Sequence, residues 1–261
     1  MTLEFLATDL SRATDAWRPV ARSAIEPCLR AAGARFEVRA GWSVAASFGS
    51  VEAELETCRT RVGVADRSAL GKLEVQAPPD ALKDVIREAA EGAELELGTA
   101  ASSAGAFWCP ITARRALALT RPGDTGRVRE RLERAAARAA AVTVADVTTT
   151  LGALAVVGPQ ARELFARLTA LDLRPTRMPE RGFRPGSVAR TPAMVLREHG
   201  DRFLLLFGAA YGEYVWTVVT DAGQALGGAG VGADALERLG EADDRDGRAR
   251  PGHIQDVGAR A

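Results

Sequence analysis

Few side chains in this sequence carry chemistry that spacing alone can name. His199 and His253 are the only histidines, and no cysteine lies close to either, whereas zinc sites draw several such ligands at short spacings. Metal chemistry is therefore not indicated, and His199 reads as a surface turn residue. Ser68 and Cys109 are potential nucleophiles, but neither has a neighbouring base that sequence identifies. Cys109, between Trp108 and Pro110, reads as a packed thiol. The run GGAGVG at 227–232 imitates a phosphate loop, yet its spacing is wrong and only a short, poorly apolar segment precedes it, so a flexible turn is expected. Asp66 and Ser68 suit a turn in which a short polar side chain takes a nearby backbone amide.

The elements that must position these groups belong to a globular chain. With 261 residues, 47% of them hydrophobic, the sequence can bury a large core in one domain or two intimate lobes. Its 34 basic and 34 acidic residues leave no net field to draw nucleic acid or a membrane. Lysine occurs only at Lys72 and Lys83, the other basic residues being arginine. Cys28, Cys58 and Cys109 are odd in number and widely spaced, which argues against a disulfide framework and for a reducing cytoplasm. The first residues carry acids where a secretion signal is basic, and no stretch approaches the roughly 18 apolar residues of a membrane helix. A soluble, cytoplasmic protein is expected.

The unit at 144–168 organises the rest: an apolar run, 152–157, stops at Gly158-Pro159 and gives way to a helix with Ala161, Leu164, Phe165 and Leu168 on one face. Upstream, strands are expected at 34–38, 71–76 and 115–120, with helices at 51–61, 81–90 (capped by Asp80) and 127–141. The strand at 71–76 alternates Leu73 and Val75 inward with Lys72, Glu74 and Gln76 outward. Downstream, a proline-rich passage at 173–192 precedes paired strands at 194–197 and 203–207, joined by a turn at 198–201. A helix at 211–222 is expected to turn Tyr214, Val215, Val218 and Val219 inward. Residues 1–32 read as an arm, and residues 241–261 as a disordered tail without periodicity. The pattern is α+β.

Residues 33–75 resemble the opening of the glycine-cleavage T-protein (aminomethyltransferase) family, with Arg35, Gly41, Trp42, Glu54, Arg61, Gly63, Asp66, Ser68 and Gly71 in matching places. The strand, Gly-Pro and alanine-led helix of ALAVVGPQARELF match as well. From 142 to 223 the likeness is closer still to the gamma subunit of heterotetrameric sarcosine oxidase, carried by LDLRP, SVARTP and FLLLFGAAYGEYVWTVVTDAG. The resemblance implies a folate-binding aminomethyltransferase-like fold over 33–240. Its two intimate lobes of mixed or antiparallel sheet, 33–141 and 142–240, carry flanking helices and can interleave, and the C-terminal barrel domain is lacking. It also implies tetrahydrofolate as cofactor and a place in the one-carbon metabolism of glycine, sarcosine or methylated amines.

The departures bear on activity. The T-protein sets a carboxylate just before a strand, where it can stabilise a developing cation or manage its proton. Here residues 97–123 hold no Asp or Glu, and Trp108 and Cys109 stand near that place. The family's GYTGE turn is replaced by REHGD, where Asp201 or Glu198 could supply the acid, and GLGARD has become GVGADA. By resemblance the residues that would meet folate are Trp42, Asp66, Ser68, Trp108 and Asp201, with the aromatic faces of Trp42 and Phe48 able to stack on a pterin. Three readings follow. The preferred one is a non-catalytic subunit of a sarcosine-oxidase-like complex, with Tyr211, Tyr214 and Trp216 as interface. The others are a tetrahydrofolate-dependent transferase with a rearranged site, and a folate-binding regulatory or repair protein.

Overall fold

A computed structural model describes residues 19–245. It begins with a short strand, β1 (Ala21–Arg22), and a single helical turn and a half, α1 (Glu26–Ala31). A hairpin of β2 (Arg35–Arg39) and β3 (Trp42–Ser47) turns at Ala40 and Gly41, both at positive φ. Ser50 then starts α2 (Val51–Thr60), its hydroxyl accepting the Ala53 N–H at 3.3 Å. Next come β4 (Gly63–Asp66), β5 (Gly71–Gln76) and α3 (Pro79–Ala89). A meander of β6 (Ala101–Ser103), β7 (Ala106–Thr112) and β8 (Arg115–Thr120) leads to α4 (Thr125–Ala136). The chain continues through β9 (Thr143–Asp146), β10 (Leu151–Val157) and α5 (Ala161–Leu168). A second meander, β11 (Phe183–Val188), β12 (Thr191–His199) and β13 (Arg202–Gly208), precedes α6 (Gly212–Gln224), β14 (Ala229–Gly230) and α7 (Ala233–Arg245).

These strands form three sheets, ordered β1-β3-β2, β11-β12-β13-β10-β4-β14 and β6-β7-β8-β5-β9. All neighbours are antiparallel except β1 with β3 and β14 with β4. The fold is mixed α+β, and among the described residues no barrel domain follows it. The two large sheets share the chain twice: residues 67–70 carry it from β4 to β5, and residues 147–150 carry it back from β9 to β10. At another edge they meet again, because Ala100 N–H donates to Arg181 O (2.7 Å) and Phe183 N–H to Gly98 O (2.9 Å).

Side-chain alternation explains the layering. On β13, Phe203, Leu205 and Phe207 face one way, joining Ala161, Leu164 and Phe165 of α5 and Val215 and Val219 of α6 in one core. Leu204 and Leu206 face the other way, meeting Phe107, Leu117 and Leu119 of the five-stranded sheet. On β8, Ala116 and Ala118 turn outward beneath α3 and α4. Small residues there let the helices approach, while leucines fill the space between the sheets. The remaining inner face of β4 and β10 is covered by Leu55 and Cys58 of α2, by Val231 just after β14, and by Ala235 and Leu236 of α7.

The corner at Gly158-Pro159 lies where three elements meet. Gly158 has φ +126°, and a Cβ there would stand 2.6 Å from Cys58 O and also meet Arg61 O. Its N–H donates to Asp201 O, and the Gln160 N–H donates to Arg61 O. Only glycine fits, since the backbone of the α2 terminus occupies the side-chain position. Pro159 falls just before the start of α5 and closes the turn into it.

Several expectations need correction. Asp80 does not cap α3: the helix starts at Pro79, two residues before the expected start, which leaves Asp80 in the first turn facing the positive end of the helix dipole. Residues 227–232 are not a flexible turn but contain β14, and a Cβ on Gly228 or Gly232 would strike the backbone of Val62 or Ala46. Lys72 points inward and is 0% exposed, against its expected outward place. On α6 Val215, Trp216 and Val219 are buried and Val218 packs half-buried against the same core, while Tyr214 is 47% exposed. Glu198 belongs to β12 rather than the turn. Helix α7 continues through residues 241–245, in place of the expected start of the disordered tail. Residues 1–18 and 246–261, which include the rest of that tail, most of the arm and His253, lie outside the described residues.

Candidate functional site

The first crossing between the large sheets gathers Asp66, Ser68 and Lys72. Asp66 ends β4, and its Oδ1 accepts the Ser68 N–H at 2.8 Å, the turn that their spacing suggests. The Ser68 hydroxyl in turn accepts the Ala153 N–H at 3.1 Å, linking the crossing to β10. Although Asp66 as a residue keeps some exposure, its carboxyl is desolvated. Burial pushes its pKa above the usual carboxylate range, opposed by hydrogen bonds from Ser68 and Ser23 and by the charge of Lys72. The Lys72 ammonium donates to Ser68 O and Leu70 O at 2.8 Å and to Thr148 O at 3.3 Å. Desolvation pushes its pKa down to about 8, opposed by Asp66 and Asp146.

The acids considered as replacements for the family carboxylate are engaged elsewhere. Glu198 accepts the Arg202 Nε–H at 2.8 Å, and these side chains are 2% and 5% exposed. The pair faces the space between the large sheets, where burial, aided by the Glu198 charge, pushes the Cys109 thiol far up. Asp201 sits in the β12–β13 turn and is ion-paired to Arg162 of α5. Trp108 is fully buried beneath α3 and α4, with its indole N–H donated to Ser103 O at 3.1 Å, and in this packing it offers no face to a ligand. Trp42 opens β3 in the small sheet.

The structure thus brings together Asp66 and Ser68 but distributes Trp42, Trp108 and Asp201 over three different sheets. Binding a pterin calls for an acceptor or carboxylate directed at its polar edge and an aromatic face above its ring. The carboxyls singled out here already accept protein donors, and the space between the large sheets is filled by Phe107, Leu117, Leu119, Leu204 and Leu206. Of the residues expected to meet folate, Asp66 and Ser68 thus share one turn, while Trp42, Trp108 and Asp201 lie on other elements. Phe48 is stacked on Trp216, with ring centroids 6.4 Å apart, which engages one face of each ring.

Two polar groups named in the sequence have roles that only the structure reveals. Lys72 carried one signal, retention of lysine in a chain that otherwise uses arginine almost throughout. Glu54 is the other: its two oxygens accept the Phe48 and Gly232 N–H groups, each at 2.7 Å, and tie α2 to the ends of β3 and β14. Its partner glycine is 178 residues away in sequence, beyond anything spacing can reveal. Among the described residues no cluster of three or more His, Cys, Asp or Glu could hold a metal ion, and no helix is long and apolar enough to cross a membrane.

Comparison with known proteins places this geometry. The GCVT N-terminal domain family matches residues 25–240. An aminomethyltransferase of Streptomyces coelicolor is 29% identical over 240 residues, covering 79% of this chain and 58% of the relative. The glycine cleavage system aminomethyltransferase T of Bartonella henselae superposes with a TM-score of 0.70 at 18% identity, over 84% of this chain and 62% of that one. A chain of the heterotetrameric sarcosine oxidase of Corynebacterium sp. U-96 superposes with a TM-score of 0.57 at 17% identity, over 68% of this chain and 93% of that one. The protein therefore spans about three-fifths of the aminomethyltransferases it matches, and it belongs to the GCVT N-terminal domain family.

Proposed function

We propose that this protein is a member of the aminomethyltransferase family without turnover of its own, serving as a subunit of an amine-oxidising complex of the sarcosine oxidase kind in tetrahydrofolate-linked one-carbon metabolism. The observation that carries the proposal is the state of its carboxylates. Residues 97–123 contain no Asp or Glu, and Glu198 and Asp201 are each committed to an arginine. Glu198, enclosed with Arg202, has no access to a substrate proton, and Asp201 is held by Arg162.

The subunit reading draws on the surface of α6. Tyr211 and Tyr214 are 48% and 47% exposed, and the Tyr214 hydroxyl is fixed by the carbonyl of Ala189 at 3.1 Å. Tyrosines held in place present area at low entropic cost, the chemistry that interfaces favour. Trp216, expected beside them, is instead 6% exposed and belongs to the core. The test is co-expression with any amine-oxidase chains encoded beside this one. A complex that survives size-exclusion chromatography, and is weakened by Tyr211→Ala with Tyr214→Ala, supports the proposal. A stable monomer that ignores those chains overturns it.

A further inference from the structure

Helix α6 differs in its charges from the other α-helices. Each of α1, α2, α3, α4, α5 and α7 carries a carboxylate ion-paired to an arginine: Glu26, Glu52, Asp84, Glu133, Glu163 and Asp234. Helix α6 contains no Arg or Lys, and among the described residues its two exposed acids, Glu213 and Asp221, form no ion pair. Arginine is abundant in this chain, so composition does not account for the bare acids. Asp221 stands two turns along the helix, whereas Glu213 lies between Tyr211 and Tyr214 in sequence, and these are 48% and 47% exposed.

The surroundings of Glu213 leave its charge unanswered. The start of α6 abuts the segment before α1 so closely that a Cβ on Gly212 would stand 2.9 Å from Ile25 Cγ2 and 3.2 Å from the exposed Ala24 Cβ. The half-buried Cys28 is near as well: burial, and after it the Glu213 charge, hold its thiol above the ordinary value. The arginines of β1 and α1, Arg22 and Arg30, both turn to Glu26 instead. On the other side the Tyr214 hydroxyl donates to Ala189 O at 3.1 Å, and no ion pair joins the adjacent Arg190 to Glu213. A single carboxylate therefore sits among tyrosines and small uncharged side chains.

We infer that Glu213 is the anchor for an arginine side chain of a protein partner, with Tyr211 and Tyr214 packed against that partner around it. This role rests on the subunit reading proposed above, and it specifies the chemistry that the partner surface must carry. A guanidinium matches a carboxylate with two parallel hydrogen bonds and lies readily on an aromatic ring. Once the partner excludes water from the patch the pair strengthens, and a partner without the cation would bury the Glu213 charge unpaired, so the same acid rejects wrong partners. An acid in the first turn also favours the helix dipole, but that role acts on the stability of α6 and leaves association untouched.

The test measures association of the full chain with any amine-oxidase chains encoded beside it, after co-expression and purification, at low and at high salt. Glu213→Gln, uncharged and of the same shape, is expected to weaken association about tenfold or more, and Glu213→Arg to abolish it. Glu56→Arg is the control, an exposed site on α2 at the opposite face of the six-stranded sheet, and it is expected to leave affinity unchanged. Rising salt is expected to weaken the wild-type complex more than the Glu213→Gln complex. A complex that Glu213→Gln forms as tightly as the wild type overturns this role and leaves the subunit reading in place. The absence of any complex overturns both.

Discussion

Replacing Glu54 by Gln removes one acceptor from a buried junction of three elements. In the native protein both carboxylate oxygens are used, one by the Phe48 N–H and one by the Gly232 N–H, each at 2.7 Å, and Glu54 is 7% exposed. Gln keeps the shape and one acceptor, but it sets an amide N–H2 against a backbone N–H. A hydrogen bond to a buried charge is worth about 1.5–3 kcal/mol, and the stranded backbone donor adds a desolvation cost, so the expected loss is about 3 kcal/mol. At about 2–4 °C per kcal/mol for a chain of this size, Tm should fall by about 6–12 °C. Urea unfolding followed by circular dichroism measures the free-energy loss, and a thermal melt the shift in Tm. Glu52→Gln on the same helix is the control, because Glu52 pairs only at the surface with Arg238 and its loss should leave the midpoint in place. Equal midpoints for the two variants would refute the assignment of Glu54 as a structural junction, and with it the view that the matching residues of 33–75 serve the scaffold.

Other consequences follow from backbone and thiol geometry. Gly158→Ala places a Cβ against Cys58 O and Arg61 O at φ +126°, and should cost about 2–4 kcal/mol in denaturant unfolding, whereas Gly123→Ala, with open space around it, should cost less than about 1 kcal/mol. The two-residue loop between β11 and β12 holds Ala189 and Arg190 at φ 50° and 61°. Ala189 is buried in the core, so only the exposed Arg190 is free to change: Arg190→Gly should raise stability by about 1 kcal/mol, measured as a higher urea midpoint, because glycine takes positive φ without steric cost. With a thiol-specific dye at pH about 8, Cys28 should be labelled first. Cys58, its thiol pushed up to about 11 by burial, and the buried Cys109 should react only after unfolding.

How far the sequence reveals the molecule depends on the range of the interactions. Helix α2 and strand β5 lie close to where periodicity puts them, since their apolar spacing is local, and so does the pairing of β12 with β13. The β6–β7 hairpin is hidden in GTAASSAGAFWCP because small residues give no alternation, and its turn uses Ala104 and Gly105 at positive φ rather than a stronger signal. Trp108 looked like a ligand-facing aromatic only because its register against β8 was unknown, and pairing with Ala118 points it beneath α3 and α4. Glu54 with Gly232, Lys72 with Thr148 and Asp201 with Arg162 are all contacts between segments far apart in the chain, and no spacing rule reaches them. The absence of acids in 97–123 was plain in the sequence, whereas the commitment of Glu198 to Arg202 needed the fold.

The claim that this member of the family lacks turnover is tested most directly by assaying tetrahydrofolate-dependent one-carbon release from sarcosine and from an aminomethyl donor. The assay compares the isolated chain with the chain co-expressed with any oxidase subunits encoded beside it. The isolated chain is predicted to give no product above the protein-free rate, with any activity of the assembly unchanged by Asp201→Asn. Product formed by the isolated chain and lost in Asp201→Asn would contradict the claim and establish a transferase with a rearranged site.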